Sequence, residues 1–154
     1  MDDITLIGSP FEMSLRILLM LDEIPNAELD EQQICSIDFI SVYAADFGLL
    51  DENLHGYGSY RFSEFPARKA LVSGALKALV LAGNIIFSSS KRGFTYKISD
   101  AGRKISHTFT SSYAWEYRLA VRTVSQHYNS TNVDAMLRDI NQRTLRSMRE
   151  GANE

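Results

Sequence analysis

Apolar residues recur at helical spacing along most of this chain, and the runs are separated by turn signals. The first run opens at Ser9-Pro10-Phe11-Glu12. Ser9 can cap, Pro10 suits the first helical position, and Glu12 stands three after Ser9 as in a capping box. The spacing predicts a helix to about Glu23, with Met13, Ile17, Met20, Leu21 and Ile24 near one face. Leu15, Leu18 and Leu19 widen that face, so the helix is expected to be largely buried, and Pro25 ends it. Asp30 with Gln33 is a second capping signal. It opens a helix to about Phe47, with Ile34, Ile37, Phe39, Ile40, Tyr43, Ala44 and Phe47 as its apolar set and Gly48 as its stop. Asp38 and Asp46 lie among these apolar positions, where they can reach other elements. Residues 49–66 have no period, and Gly56, Gly58, Tyr57, Tyr60 and Phe62 mark a packed loop. Pro66 then starts a third helix through Leu71, Val72, Ala75, Leu76, Leu79 and Val80, closed by Gly83-Asn84.

The pattern changes after that helix. A short apolar strand at 85–88, a turn with Lys91, Arg92 and Gly93, and a return strand at 94–98 read as a hairpin. Ser99-Asp100-Ala101-Gly102 opens a further helix, which pauses near 110–112 and resumes over 113–128. The Ser- and Thr-rich residues 108–112 cap the restart or mark a bend, and Trp115, Leu119 and Val124 are expected to pack inward. A loop at 129–132 precedes a last helix from Val133 to about Met148. Its stripe is Met136, Leu137, Ile140, Leu145 and Met148, and Arg138, Arg143, Arg146 and Arg149 occupy its other faces. Helix, two-stranded wing and helix in this order predict a mainly α (α+β) chain. The expected fold is one winged-helix-like domain over residues 1–154, with a β-hairpin wing and added N- and C-terminal helices. Its core is expected at about 8–128 and the C-terminal helix at about 132–149.

Composition narrows the class. Of 154 residues 45% are hydrophobic and 23% charged, ordinary for a globular chain. No apolar run is long enough to span a membrane. The acidic N-terminus (Asp2, Asp3) lacks a signal-peptide pattern. The single cysteine, Cys35, has no internal disulfide partner and reads as a small buried apolar group. A cytoplasmic location is the expectation. Charge is polarised: residues 1–64 carry two basic and thirteen acidic side chains, a net of −11, and residues 65–154 carry fourteen and six, a net of +8. Two readings follow: surfaces of opposite sign for partners, or two halves that neutralise each other in the fold.

Candidate chemistry points to binding. His55, His107 and His127 are far apart and lack metal-site spacing. Nucleophile signatures, a Walker A loop and a dinucleotide Gly-rich loop are absent. No enzyme activity, metal, cofactor or small-molecule substrate is therefore expected. Arg61, Glu64 and Arg68 form the sharpest constellation, since Glu64 and Arg68 fall one helical turn apart. They brace the loop against the third helix or contact a partner. Lys91, Arg92 and Lys97 in the wing, with Arg103 and Lys104 beyond it, are the candidate nucleic-acid patch. The third helix offers Arg68, Lys69 and Lys77 but few side chains that read bases. The last helix, with Arg138, Arg143, Arg146 and Arg149, is a candidate docking helix.

The order of these motifs resembles the middle component of bacterial ABC-three-component systems, and more narrowly the small third subunit of Lamassu-type anti-phage defence. The resemblance spans roughly residues 8–125. It rests on Ser9-Pro10-Phe11-Glu12 with Arg16, Asp38-Phe39, Asp46 with Gly48, Arg61 with Glu64 and Arg68, and Tyr96, Ile98 and Gly102 at the wing exit. The loop at 54–60 departs from it, carrying Gly56, Tyr57, Gly58, Ser59 and Tyr60 where the family is expected to have prolines and a histidine. The resemblance implies a non-catalytic adaptor. Its implied partners are an SMC- or Rad50-like coiled-coil ATPase and an effector subunit, often a nuclease, with DNA met through the complex. The reading from another class is a stand-alone winged-helix transcription regulator, which would be a two-fold symmetric dimer.

Overall fold

The computed structural model describes residues 9–91, 93–129 and 132–152. Among the described residues, six α-helices and a small antiparallel sheet follow in the order α1 (Pro10–Glu23), β1 (Leu29–Asp30), α2 (Glu31–Val42), α3 (Glu64–Leu81), β2 (Ile85–Ser90), β3 (Gly93–Ile98), α4 (Asp100–Ser106), α5 (Ser112–Tyr128) and α6 (Val133–Ala152). The fold is mainly helical and winged-helix-like, as the pattern predicts.

Helix starts follow the local chemistry. Ser9 accepts from the Glu12 N–H, and Asp30 and Gln33 complete a reciprocal capping box. Ser99 accepts from Gly102 N–H and Ser111 from Ala114 N–H. The α3 terminus is a Schellman turn: Gly83 (φ 77°) donates to Val80 and Asn84 donates to Leu79.

The core is organised around α2, in which every residue from Gln33 to Val42 is buried. It packs against α3, α5 and α6, while α1 lies across α3, α4 and α5. A helix enclosed on all sides needs no polar stripe, and α2 accordingly shows none.

Three expectations are corrected and one is refined. The second helix stops at Val42, not near Phe47. The Val42 carbonyl accepts from the His55 N–H at 3.0 Å, and Asn53 Oδ1 takes the N–H groups of Ala45 (2.9 Å) and Asp46 (3.2 Å). These bonds occupy the groups that would continue the helix, so the chain runs on in tight turns to Gly48. The sheet has three strands, because Leu29 and Asp30 pair with Tyr96 and Thr95 beside the predicted hairpin. The expected pause after the wing is a full break between two helices: Arg118 reaches back to the Ser106 carbonyl and hydroxyl, closing α4, and Ser111 caps the restart as α5. Trp115 and Leu119 face outward, because α5 buries Ala114, Tyr117, Ala120, Val121, Val124 and Tyr128 instead.

The hairpin register runs from Ile85↔Ile98 to Ser90↔Gly93. Alternation places Ile85, Phe87, Phe94, Tyr96 and Ile98 on one face. Ile85 and Ile98 enter the core, whereas Phe87 and Phe94 pack edge to face with each other at 5.6 Å and stay exposed. At the wing exit Gly102 lies so close to Asn84 that an added Cβ would stand 2.0 Å from the Asn84 carbonyl oxygen.

Candidate functional site

A cluster of charged side chains lies inside the molecule. Asp38, fully buried on α2, accepts from Arg16 Nε (2.8 Å) and Nη2 (3.2 Å), Arg68 Nη1 (2.8 Å) and the Tyr117 hydroxyl (2.7 Å). Burial would raise its pKa, but the charges of Arg16 and Arg68 and the bonds from Arg16 and Tyr117 hold it well below the usual carboxylate range. Burial and the Asp38 charge push the Tyr117 hydroxyl up. Arg16 also bonds Glu12, to which the Tyr113 hydroxyl donates. With that proton committed, His55 Nε2–H is the donor to the Tyr113 oxygen at 2.7 Å. Burial, followed by the charge of Arg16, lowers the His55 pKa to about 4, so the ring is neutral. On the other side Arg68 lies 3.6 Å from Glu64, which accepts from the Tyr43 hydroxyl at 2.8 Å. The chain of bonds therefore joins α1, α2, α3, α5 and the loop after α2.

A second cluster pins that loop. Asp46 receives Arg61 Nε (2.7 Å), Arg61 Nη2 (3.0 Å) and Asn53 Nδ2 (2.9 Å), while Arg61 Nη1 donates to the Gly58 carbonyl. The structure thus divides the predicted trio: Arg61 belongs to Asp46, and Arg68 joins Asp38 first and Glu64 second. A third cluster ties the end of α1 to α4 and α5. Asp22 accepts from Arg103 (3.0 Å), Arg118 (3.2 Å) and Ser106 (2.9 Å), and Glu23 pairs with Arg122 at 2.6 Å.

Of the remaining predicted residues, Arg103 is the one that joins these clusters among the described residues. Lys91, Lys97 and Lys104 are exposed, and Arg92 lies outside the described residues. Arg103, placed with them by sequence, is held by Asp22. On α6, Arg138, Arg146 and Arg149 are exposed and Arg143 is half-buried. Met136 and Ile140 anchor that helix, while Leu145 and Met148 of its predicted stripe are exposed. Arg143, Arg146 and Met148 face Tyr57, Tyr60 and Arg61 across a cleft of about 970 Å³. Cys35 is buried, which pushes its thiol up to about 12. The sequence reading missed the roles of Tyr113, Tyr117, Asn53 and His55. The available signal was Asp38 itself, a carboxylate inside a largely apolar run, which must find cations or donors.

Chemically, these clusters lock helices together and fix one geometry for the surface. That surface carries large exposed apolar side chains on separate elements: Phe87 and Phe94 on the wing, Trp115 and Leu119 on α5, Leu81 at the end of α3, and Leu145 and Met148 on α6. Of the positions that carried the family resemblance, the charged ones (Glu12, Arg16, Asp38, Asp46, Arg61, Glu64, Arg68) converge in the first two clusters. A family model described as ABC-three component (ABC-3C) system Middle Component 2 matches residues 6–150. No curated protein and no solved structure matches the chain.

Proposed function

Because the chain belongs to the Middle Component 2 family of ABC-three component systems, we propose that it is the non-catalytic adaptor of a bacterial anti-phage complex of Lamassu type. It bridges an SMC- or Rad50-like ATPase and an effector, a nuclease, in the cytoplasm, and meets DNA through the complex. The observation that carries this reading is the exposed apolar side chains on several separate elements of a body cross-braced by buried ion pairs. Large apolar groups left in water at more than one place suit a part gripped on more than one side. A cross-braced body transmits force between those grips, and coupling requires only that it bind one state of the ATPase better than another.

The competing reading, a stand-alone transcription regulator, asks α3 to read base edges. The exposed cations of α3 are Lys69 and Lys77, and its other exposed positions are mostly alanine and glycine, which offer no hydrogen bond to a base edge. Reconstitution with the neighbouring ATPase and effector tests the adaptor reading. The two are expected to co-purify only when this chain is present. Their association in its absence, or a stable homodimer that binds a palindromic duplex, would refute it.

A further inference from the structure

The α3 helix is apolar on both sides, and only one side is covered. Phe65, Arg68, Val72, Ala75, Leu76 and Leu79 face inward, toward α1 and α2. Ala67, Leu71, Gly74, Ala78 and Leu81 follow one another on the outer side at steps of four, three, four and three. Leu71 is half-buried and the rest are exposed, Leu81 to 88%. A glycine within a helix weakens it. Gly102 has a reason within this chain, the contact with Asn84. Gly74 has none: a Cβ built on it would meet nothing within 4 Å, and its backbone is ordinary helix. The chain's own fold does not require that position to be bare.

We propose that this outer seam receives an α-helix from another component of the complex, packed in coiled-coil fashion. Steps of four and three make a nearly straight stripe that a second helix follows at a shallow crossing angle. Two heptads of about 1.5 Å per residue give a seam of roughly 21 Å. The small residues Ala67, Gly74 and Ala78 are holes, so the partner supplies knobs of leucine or isoleucine size at matching spacing. Lys77 borders the seam on one side, with Lys69 beyond it, and calls for acidic residues on the facing flank of the partner. A second copy of α3 fits less well, because small residues set against small residues bury little apolar area. The inference rests on the reading of the chain as a bridging component.

Two measurements on the assembled complex test it. Ala78→Cys introduces a single accessible thiol, since Cys35 is 1% exposed. A maleimide–benzophenone linker on that thiol is expected to form an adduct with a heptad-patterned helix of another component. Gly74→Leu is expected to keep or raise the melting temperature while lowering recovery of that component at least tenfold. An adduct only with a second copy or with nucleic acid overturns the seam, as does recovery by Gly74→Leu within twofold of the native chain. Should the adduct and the tenfold loss stand while ATPase and effector associate without this chain, the bridging reading fails and the seam survives.

Discussion

Asp38→Asn is the most informative single change, because it keeps the shape of the side chain and removes the charge on which two arginines converge. Asp38 accepts four bonds from Arg16, Arg68 and Tyr117, and both Asp38 and Arg16 are almost wholly buried. Breaking a buried pair from one side leaves the other charge uncompensated and costs about 3–5 kcal/mol. Against a total stability of about 5–15 kcal/mol this is a large share. For a chain of this size each kcal/mol moves the midpoint by about 2–4 °C, so a fall of roughly 6–20 °C is expected. Thermal and urea unfolding followed by circular dichroism measure it. The companion variant Asp38→Leu with Arg16→Met, Arg68→Met and Glu12→Gln removes the buried charges of the cluster together and is expected to regain part of the loss. The pH dependence has a fixed sign. The folded pKa of Asp38 is depressed, so its stabilisation is present above the unfolded carboxylate value of about 3.9 and is lost as pH falls below it. The gap between native chain and Asp38→Asn should therefore narrow below about pH 4. A midpoint for Asp38→Asn within about 2 °C of the native chain at pH 7 would refute the cross-brace argument.

Three further outcomes follow from single sites. His55 is held neutral with a folded pKa of about 4, so between there and about 6.5 the unfolded chain binds the extra proton and stability falls with pH by about 3 kcal/mol. His55→Gln should lose that slope in urea midpoints measured at both ends of the range, and an unchanged slope would contradict the assignment. Gly102→Ala would press a methyl group to 2.0 Å from the Asn84 carbonyl oxygen and should cost about 1–3 kcal/mol, read as a lower melting temperature. Cys35, buried and with its thiol pushed up to about 12, should resist an aromatic disulfide reagent in the native state and react only as the chain unfolds; rapid labelling of folded protein would show the site to be open.

The legible part of the fold was its punctuation. Ser9, Asp30, Ser99 and Ser111 cap helices through bonds to residues three positions on, and such contacts are written locally in the sequence. Illegible were the features decided by distant partners. The end of α2 depends on Asn53 and His55, ten or more residues further along the chain. Trp115 and Leu119 have the size of core residues, yet Tyr117 won the inward face of α5, because its hydroxyl reaches Asp38. Arg68 illustrates both sides: local spacing correctly placed it one turn from Glu64, but its shorter bond goes to Asp38, thirty residues away in sequence. Asp38 and Asp46 were recognisable as carboxylates that must reach other elements, though not which cations they would meet.

The polarised charge of the sequence resolves in the same way. Asp22, Glu23 and Asp38 from the acidic half hold Arg68, Arg103, Arg118 and Arg122 from the basic half, so much of the asymmetry is consumed as adhesive between elements. Exposed cations outside these pairs include Lys91, Lys97 and Lys104 beside the wing, Lys69 and Lys77 on α3, and Arg138, Arg146 and Arg149 on α6. Salt therefore separates two modes of association. If components dock through apolar seams such as that of α3, their recovery should change less than about threefold between 50 and 200 mM salt, because screening acts weakly on apolar contact. If the three lysines beside the wing instead carried the assembly by neutralising phosphates, affinity would fall about 40-fold over the same range. A fall of that size in component binding by the native chain would place the grip on its cations and not on its apolar surface.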